Sequence, residues 1–299
     1  MSALFKRAQV TLAGMREVSS VPNNNGYLIE LERVSFAYPG GPPVIREFSA
    51  GVRRGEFIAV IGPNGSGKST LAGLAAGLLV PVAGRALVDG LDTAAPAARD
   101  EIRLRVGLVL QNPDNQIVAA RVEEDIAFGP ENLNLSPDQV RRRVEHALGT
   151  VGLDRLRDRP PHLLSGGEKQ RLAIAGLLAL QPSCLVLDEP TAMLDPPDRR
   201  GVLRVLRDLA AGGTTVLLVT HHMDEAPLAD RVWVLENGAL LADDIPPVVF
   251  GRPKLLDRLG LALPPAAELA RRLAEKGVAV PEGIVQKEDL VRYLCRVLK

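Results

Sequence analysis

Phe57-Ile58-Ala59-Val60-Ile61-Gly62-Pro63-Asn64-Gly65-Ser66-Gly67-Lys68-Ser69-Thr70 is the stretch that decides the fold. Its first five residues are uninterrupted apolar ones, the pattern of a strand buried on both faces, as in a parallel sheet. The residues from Gly62 onward fit G-x-x-x-x-G-K-[ST], and a helical pattern over Lys68–Leu78 follows. The glycines let backbone N–H groups converge on an anion without Cβ obstruction. A helix beginning near Lys68 adds the positive end of its dipole. Gly62, Pro63, Asn64, Gly65, Ser66, Gly67, Lys68, Ser69 and Thr70 are therefore expected to cradle the phosphates of a nucleotide. Lys68 is placed to reach the β- and γ-phosphates and Ser69 to ligate Mg²⁺.

A second apolar run, Cys184-Leu185-Val186-Leu187, ends in Asp188-Glu189. As a strand parallel to the first, it can bring Asp188 to the Mg²⁺ and point Glu189 at the γ-phosphate, where water attacks. Paired acids at a strand end can also be solvated loop charges, but a phosphate loop upstream favours catalysis.

Around these runs the chain alternates. Strands are expected over Leu28–Phe36, Phe57–Ile61, Arg85–Val88, Val106–Leu110, Cys184–Leu187, Thr214–Val219, Val232–Glu236 and Ala239–Ala242. Helices are expected over Lys68–Leu78, Pro96–Leu104, Glu123–Phe128, Pro137–Val151, Ser165–Ala179 and Pro197–Ala210, with a further one at Met223–Pro227. The early and late strands alternate more and lie near turns, which suggests antiparallel additions to a parallel core. Residues 1–26 end in the turn-rich Pro22-Asn23-Asn24-Asn25-Gly26 and form a leader, with a short helix at Leu4–Met15 as one alternative. After Phe250, prolines punctuate short helical stretches. The last, Lys287–Leu298, aligns Leu290, Leu294, Val297 and Leu298 on one face. Residues 251–299 read as a small helical appendage, packed on the main domain or offered to a second subunit.

The 299 residues suffice for one large α/β domain with an appendage, or for two small domains. Lysine plus arginine and aspartate plus glutamate both total 36, so bulk positive charge for nucleic acid and an acidic tail are both excluded. Aromatics at 3% leave the core to Leu, Val, Ala and Ile. Cys184 and Cys295 are too few for a disulfide framework and have no metal-ligand spacing, so they read as buried or partly exposed thiols in a reducing cytosol. The longest uncharged runs, Ser69–Gly84 and Leu172–Leu187, fall short of the ~20 apolar residues of a membrane span. The N-terminus has no long apolar stretch of a signal peptide. Action at a membrane is expected to go through a partner. Arg141-Arg142-Arg143 reads as a solvated helix face, His222 as an exposed neighbour of His221, and His146 and His162 as structural.

Leu164-Ser165-Gly166-Gly167-Glu168-Lys169-Gln170-Arg171 opens a helix with Ser165 near the N-cap, where free N–H groups favour an anion. This stretch resembles the signature motif of ATP-binding-cassette (ABC) ATPases. Further elements stand in that family's order: Tyr38 in Phe36-Ala37-Tyr38-Pro39, Gln111, Glu189-Pro190-Thr191, Ala192-Met193-Leu194-Asp195, and His221 after Val219-Thr220. The resemblance spans about Leu28 to Phe250. More narrowly, Gln111–Gln116, Val122–Leu133, Thr191–Pro196 and the tail after Phe250 resemble the ATPase subunits of energy-coupling-factor (ECF) importers.

The resemblance implies a P-loop NTPase of the ABC type. That fold has a mostly parallel RecA-like core sheet, an antiparallel β subdomain and an α-helical signature subdomain, with a small C-terminal helical extension. Residues 27–250 are then the nucleotide-binding domain. The resemblance also implies ATP and Mg²⁺, and a head-to-tail dimer in which Ser165, Gly166, Gly167 and Glu168 meet the partner's nucleotide. By the same resemblance, Tyr38 stacks on adenine and Gln111 contacts Mg²⁺ or the water. Glu189 activates that water, His221 contacts the γ-phosphate, and Asp195 orders the partner's phosphate loop. The implied setting is the cytoplasmic face of the cell membrane, beside a scaffold membrane subunit and a substrate-binding one that import vitamins or transition-metal ions. An ordinary ABC importer or exporter is the alternative. A nucleic-acid or ribosomal ABC ATPase is less compatible, since no coiled coil or Cys cluster is inserted between Lys68 and Ser165.

Overall fold

The computed structural model describes residues 26–297. The helix expected at Leu4–Met15 lies outside them. The elements run β1 (Tyr27–Ala37), β2 (Pro43–Arg53), β3 (Phe57–Ile61), α1 (Lys68–Ala75), β4 (Ala83–Val88), β5 (Leu91–Asp92), α2 (Arg99–Arg105), β6 (Val106–Val109), α3 (Val122–Asn132), α4 (Pro137–Val151) and α5 (Gly166–Leu178). They continue with β7 (Cys184–Asp188), α6 (Pro196–Ala211), β8 (Thr215–Val219), β9 (Arg231–Glu236), β10 (Ala239–Asp244), α7 (Pro246–Phe250), α8 (Pro253–Arg258), α9 (Pro265–Glu275) and α10 (Lys287–Val297).

Two sheets form. The larger has the order β10-β9-β3-β8-β7-β6 and is parallel from β9 to β6, with β10 added antiparallel. The smaller, β2-β1-β4-β5, is antiparallel throughout. Each central strand is a continuous apolar run because it feeds two cores. Phe57, Ala59 and Ile61 of β3 face one core with Leu185 and Leu187 of β7 and the helices α3 to α6. Ile58 and Val60 face the other, with Leu71 and Leu74 of α1 and Leu31, Ile45 and Phe48 of the antiparallel sheet. Cys184 is buried and Cys295 exposed, both free thiols.

The strand β2 is absent from the sequence-based expectations, and its packing explains why. Its buried residues Ile45, Phe48 and Val52 do not alternate; their spacing resembles a helix face. The pairing of β1 with β2 shifts register repeatedly. Glu47 at φ 44° and Arg33 at φ 46° mark the irregular points. The amide of Glu47 donates to Ser35 Oγ and that of Arg33 to Ser49 Oγ, so side chains supply what the ladder loses there.

Three further expectations are corrected. Met223–Pro227 is not a helix; a single 3₁₀ turn spans Ala226–Leu228 and ends in extended backbone at Ala229. The helix expected at Glu123–Phe128 runs over Val122–Asn132, tolerating Pro130 close to its end. Arg143 is not a solvated charge, since its guanidinium donates to the carbonyl of Ala179 at the end of α5. Arg141 does pair with Asp138 on the exposed face.

The C-terminal helices pack on the main body. Phe250, Leu256, Leu259 and Val285 join the first core, and Gln286 Nε2 donates to the Pro227 carbonyl at 2.8 Å. Helices α9 and α10 add a small cluster of their own around Ala266, Ala270 and Leu290.

Candidate functional site

Parallel strands align their C-terminal ends, and loops leaving those ends share one rim of the sheet. Here β3 leads into the glycine loop, β8 into Thr220-His221, β7 into Asp188-Glu189, and β6 into Gln111. Side chains distant in sequence therefore meet. Ser69 Oγ donates to Asp188 Oδ1 at 3.0 Å. Glu189 Oε2 lies 3.1 Å from His221 Nδ1 and accepts from Gln111 Nε2 at 3.3 Å. Glu189 itself adopts φ 50°, a left-handed conformation held by its N–H bond to the Val219 carbonyl at 3.0 Å. Strain of this kind persists where surrounding structure enforces it.

The loop is shaped by close approach. Gly67 precedes α1 at φ 100°, and a Cβ there would stand 2.8 Å from Ile45 Cδ1 of β2. Lys68 Nζ donates to the carbonyls of Gly62 at 2.9 Å and Pro63 at 3.0 Å, which holds the ammonium over the loop. Ser66 Oγ is buried with no hydrogen-bond partner among the described residues. A cavity of about 350 Å³ is lined by Val44, Asn64, Gly65, Gly67, Lys68, Ser69, Thr70 and Glu189. Tyr38 stands half exposed, its ring edge-on to Phe36 at 5.0 Å and its hydroxyl 3.2 Å from Thr70 Oγ1.

The electrostatics suit an anion with a cation. Burial lowers the Lys68 ammonium from its ordinary value of 10.5, opposed by the charges of Glu189 and Asp188. Burial raises Asp188 from 3.8, and Glu189 raises it further against the hydrogen bond from Ser69 and the charge of Lys68. The Ser69 hydroxyl and the Asp188 carboxylate are hard oxygen donors side by side, the ligand type Mg²⁺ takes. The unpartnered Ser66 hydroxyl and the glycine cradle fit a phosphate chain.

The signature residues lie elsewhere. Ser165 caps α5, accepting the Glu168 N–H at 3.2 Å, while Glu168 Oε2 accepts the Ser165 N–H at 2.8 Å. Glu168 thus spends its carboxylate on the cap. Gly167 donates its N–H to Asp198 Oδ2 at 3.0 Å, and a Cβ on it would fall 2.4 Å from Asp198 Cγ. Asp195 caps α6 by accepting the Asp198 N–H at 2.9 Å. Gly166 lines a separate, smaller cavity with Gln111, Met193 and Leu194. None of Ser165, Gly166, Gly167 or Asp195 lines the phosphate-loop cavity of its own chain.

His222 departs from expectation. It is half-buried, donates its N–H to Thr220 Oγ1 at 3.0 Å, and stacks its ring 4.1 Å from that of His221. Burial first, then the charge of Arg199, lowers its pKa from 6.5. Sequence reading also passed over Glu225, which is fully buried yet reaches two loops of the site and helix α6. A carboxylate in His222-Met223-Asp224-Glu225 carries no sequence signal of burial.

Known proteins share this fold. The ABC transporter family profile matches residues 45–192. The energy-coupling factor transporter ATP-binding protein EcfA1 of Symbiobacterium thermophilum is 52% identical over 282 residues, covering 91% of this chain and 98% of that one. EcfA1 of Caldanaerobacter subterraneus subsp. tengcongensis is 48% identical over 275 residues, covering 90% and 99%. Among solved structures, cbiO1 of Clostridium perfringens, part of the ABC transporter complex cbiONQ, superposes with a TM-score of 0.73 at 35% identity, covering 82% of this chain and 99% of that one. The dimeric bacterial ABC transporter cassette MJ0796 gives a TM-score of 0.65 at 29% identity, covering 73% and 98%. With the parallel sheet, the glycine loop and relatives matched over almost their whole length, the chain belongs to the ABC transporter family, among the energy-coupling factor transporter ATP-binding proteins.

Proposed function

We propose that this ATPase is the motor subunit of an energy-coupling-factor importer, with hydrolysis carried by the cluster of Lys68, Ser69, Gln111, Asp188, Glu189 and His221. The observation that carries this reading is the meeting of three strand-end loops on Glu189, which contacts both His221 and Gln111. Glu189 takes a proton from water as its oxygen attacks the γ-phosphorus, and the bond to the bridging oxygen breaks to give ADP and phosphate. His221 orients Glu189 and contacts the γ-phosphate. Lys68 and the loop amides of residues 62–70 neutralise charge developing on the phosphates. Mg²⁺ held by Ser69 and Asp188, with Gln111 beside it, would withdraw charge from the phosphate oxygens. Tyr38 stacks on the adenine.

Dimerisation with a second ATPase subunit, identical or paralogous, supplies the rest. Ser165, Gly166, Gly167 and the α5 cap, closed by Glu168, face the partner's nucleotide, and Asp195 faces the partner's loop. Their absence from the cavity of their own chain supports a role across an interface. A head-to-tail arrangement with two-fold symmetry makes two sites from one interface. Residues 27–250 are the nucleotide-binding domain and 251–299 its helical extension. Among the described residues no helix is long and apolar enough to cross a membrane, so a scaffold and a substrate-binding membrane subunit would carry the vitamin or transition-metal ion. The subunit works from the cytoplasmic face.

The test is Glu189→Gln. It is expected to bind ATP with wild-type affinity while hydrolysis falls by roughly a hundredfold or more, the loss typical of removing a general base. Wild-type turnover by this variant would remove Glu189 from its role.

A further inference from the structure

This inference rests on the assignment of Glu189 and His221 and concerns a residue outside it. Glu225 is 0% exposed. Its Oε1 accepts the hydroxyl of Thr191 at 2.5 Å and Nε–H of Arg199 at 2.7 Å, and its Oε2 accepts the hydroxyl of Thr220 at 2.6 Å. Taking a carboxylate fully out of water is costly, and these three donors offset the cost. An apolar side chain would fill the same volume without it.

Each donor belongs to a different part of the site. Thr191 lies in the turn after Glu189, where the Ala192 N–H returns to the Glu189 carbonyl at 3.2 Å. Thr220 precedes His221, and its N–H donates to the Val60 carbonyl at 3.1 Å, near the end of the strand that feeds the phosphate loop. Arg199 stands in the first turn of α6, its N–H bonded to the Asp195 carbonyl at 2.9 Å, and its guanidinium also pairs with Asp224. We propose that Glu225 is a positioning residue that locks the Glu189 turn, the His221 loop and the Asp195-capped helix into one mutual register. Through them it sets the geometry of attack on the γ-phosphate without touching nucleotide.

Glu225→Gln in the assembled transporter tests this. The amide keeps the shape and one acceptor oxygen but turns an NH₂ toward a donor and removes the charge facing Arg199. The kcat for ATP hydrolysis is expected to fall roughly ten- to a hundredfold, as for an ångström-scale misplacement of catalytic groups. The KM for ATP and the affinity for a non-hydrolysable ATP analogue stay at wild-type values, because residues 62–70 are untouched. A merely structural role would lower folded yield and leave the kcat of the folded fraction intact. Thr191→Val removes one arm and spares the ion pair. It is expected to lower kcat in the same way by less, and it decides alone if Glu225→Gln does not fold. Wild-type kcat in folded variants, or a loss that appears in KM, overturns the proposal. Glu189→Gln run in parallel separates the failures. If it turns over normally, the catalytic assignment fails; if it is dead while Glu225→Gln is fully active, only the role of Glu225 fails.

Discussion

Lys68 and Asp188 sit drier than isolated charges tolerate, and the direction in which burial moves each records that cost. Asp188 holds its proton to higher pH in the folded chain than in the unfolded one. Its contribution to stability is therefore present below 3.8 and lost as pH rises through the raised folded value. Lys68 runs the other way: its contribution is present above 10.5 and lost as pH falls through the lowered folded value. At neutral pH both groups weaken the nucleotide-free fold. Asp188→Asn, which can still accept from Ser69, is thus expected to raise the unfolding midpoint of the nucleotide-free chain at pH 7. The gap to wild type should close as pH approaches 3.8 from above. The same variant should lose Mg²⁺-dependent hydrolysis. Thermal melts across pH check the first outcome, and a variant less stable than wild type at pH 7 would contradict it.

At the scale of elements, α4 and α5 begin with the same device. Ser136 and Gln139 close a capping box on α4, as Ser165 and Glu168 do on α5. Ser136→Ala and Ser165→Ala are each expected to cost about 1 kcal/mol by denaturant melts. Only Ser165→Ala should also slow ATP turnover, since α4 lies outside the proposed interface; equal effects on turnover would remove the signature helix from the site. What could be read from sequence follows the same physics. The strands β3, β7 and β8 were legible because burial on two faces demands continuous apolar runs, whereas β9, grouped with the late strands as an antiparallel addition, pairs parallel with β3. The glycine loop was legible because close backbone approach demands glycine, and Lys68, Ser69, Asp188 and Glu189 sit at strand ends beside it. Strand β2 was hidden because its bulges at Glu47 break the alternation that announces a half-buried strand. Glu225 was hidden because its burial arises only when two loops and the start of α6 close over it.

For the whole molecule, the phosphate loop and the signature helix belong to one chain but serve different cavities, joined through the Gln111 loop. Lys169 of α5 pairs with Asp114 in that loop at 2.8 Å, and Gln116 braces it by accepting the Leu110 N–H and donating to the Leu108 carbonyl, both at 2.9 Å. Closure of a dimer on ATP would press on α5 and reach Gln111 through this tie, a route from hydrolysis to a membrane partner. In the proposed mechanism nucleotide is held between two cassettes. Light scattering of the Glu189→Gln chain, alone and mixed with its partner ATPase subunit, tests it most directly. ATP should convert single cassettes of 32.0 kDa into two-cassette particles, and adding Ser165→Arg should abolish that shift while ATP remains bound. A single cassette that binds ATP, and whose wild-type form hydrolyses it at the single-chain mass regardless of Ser165→Arg, would contradict the account.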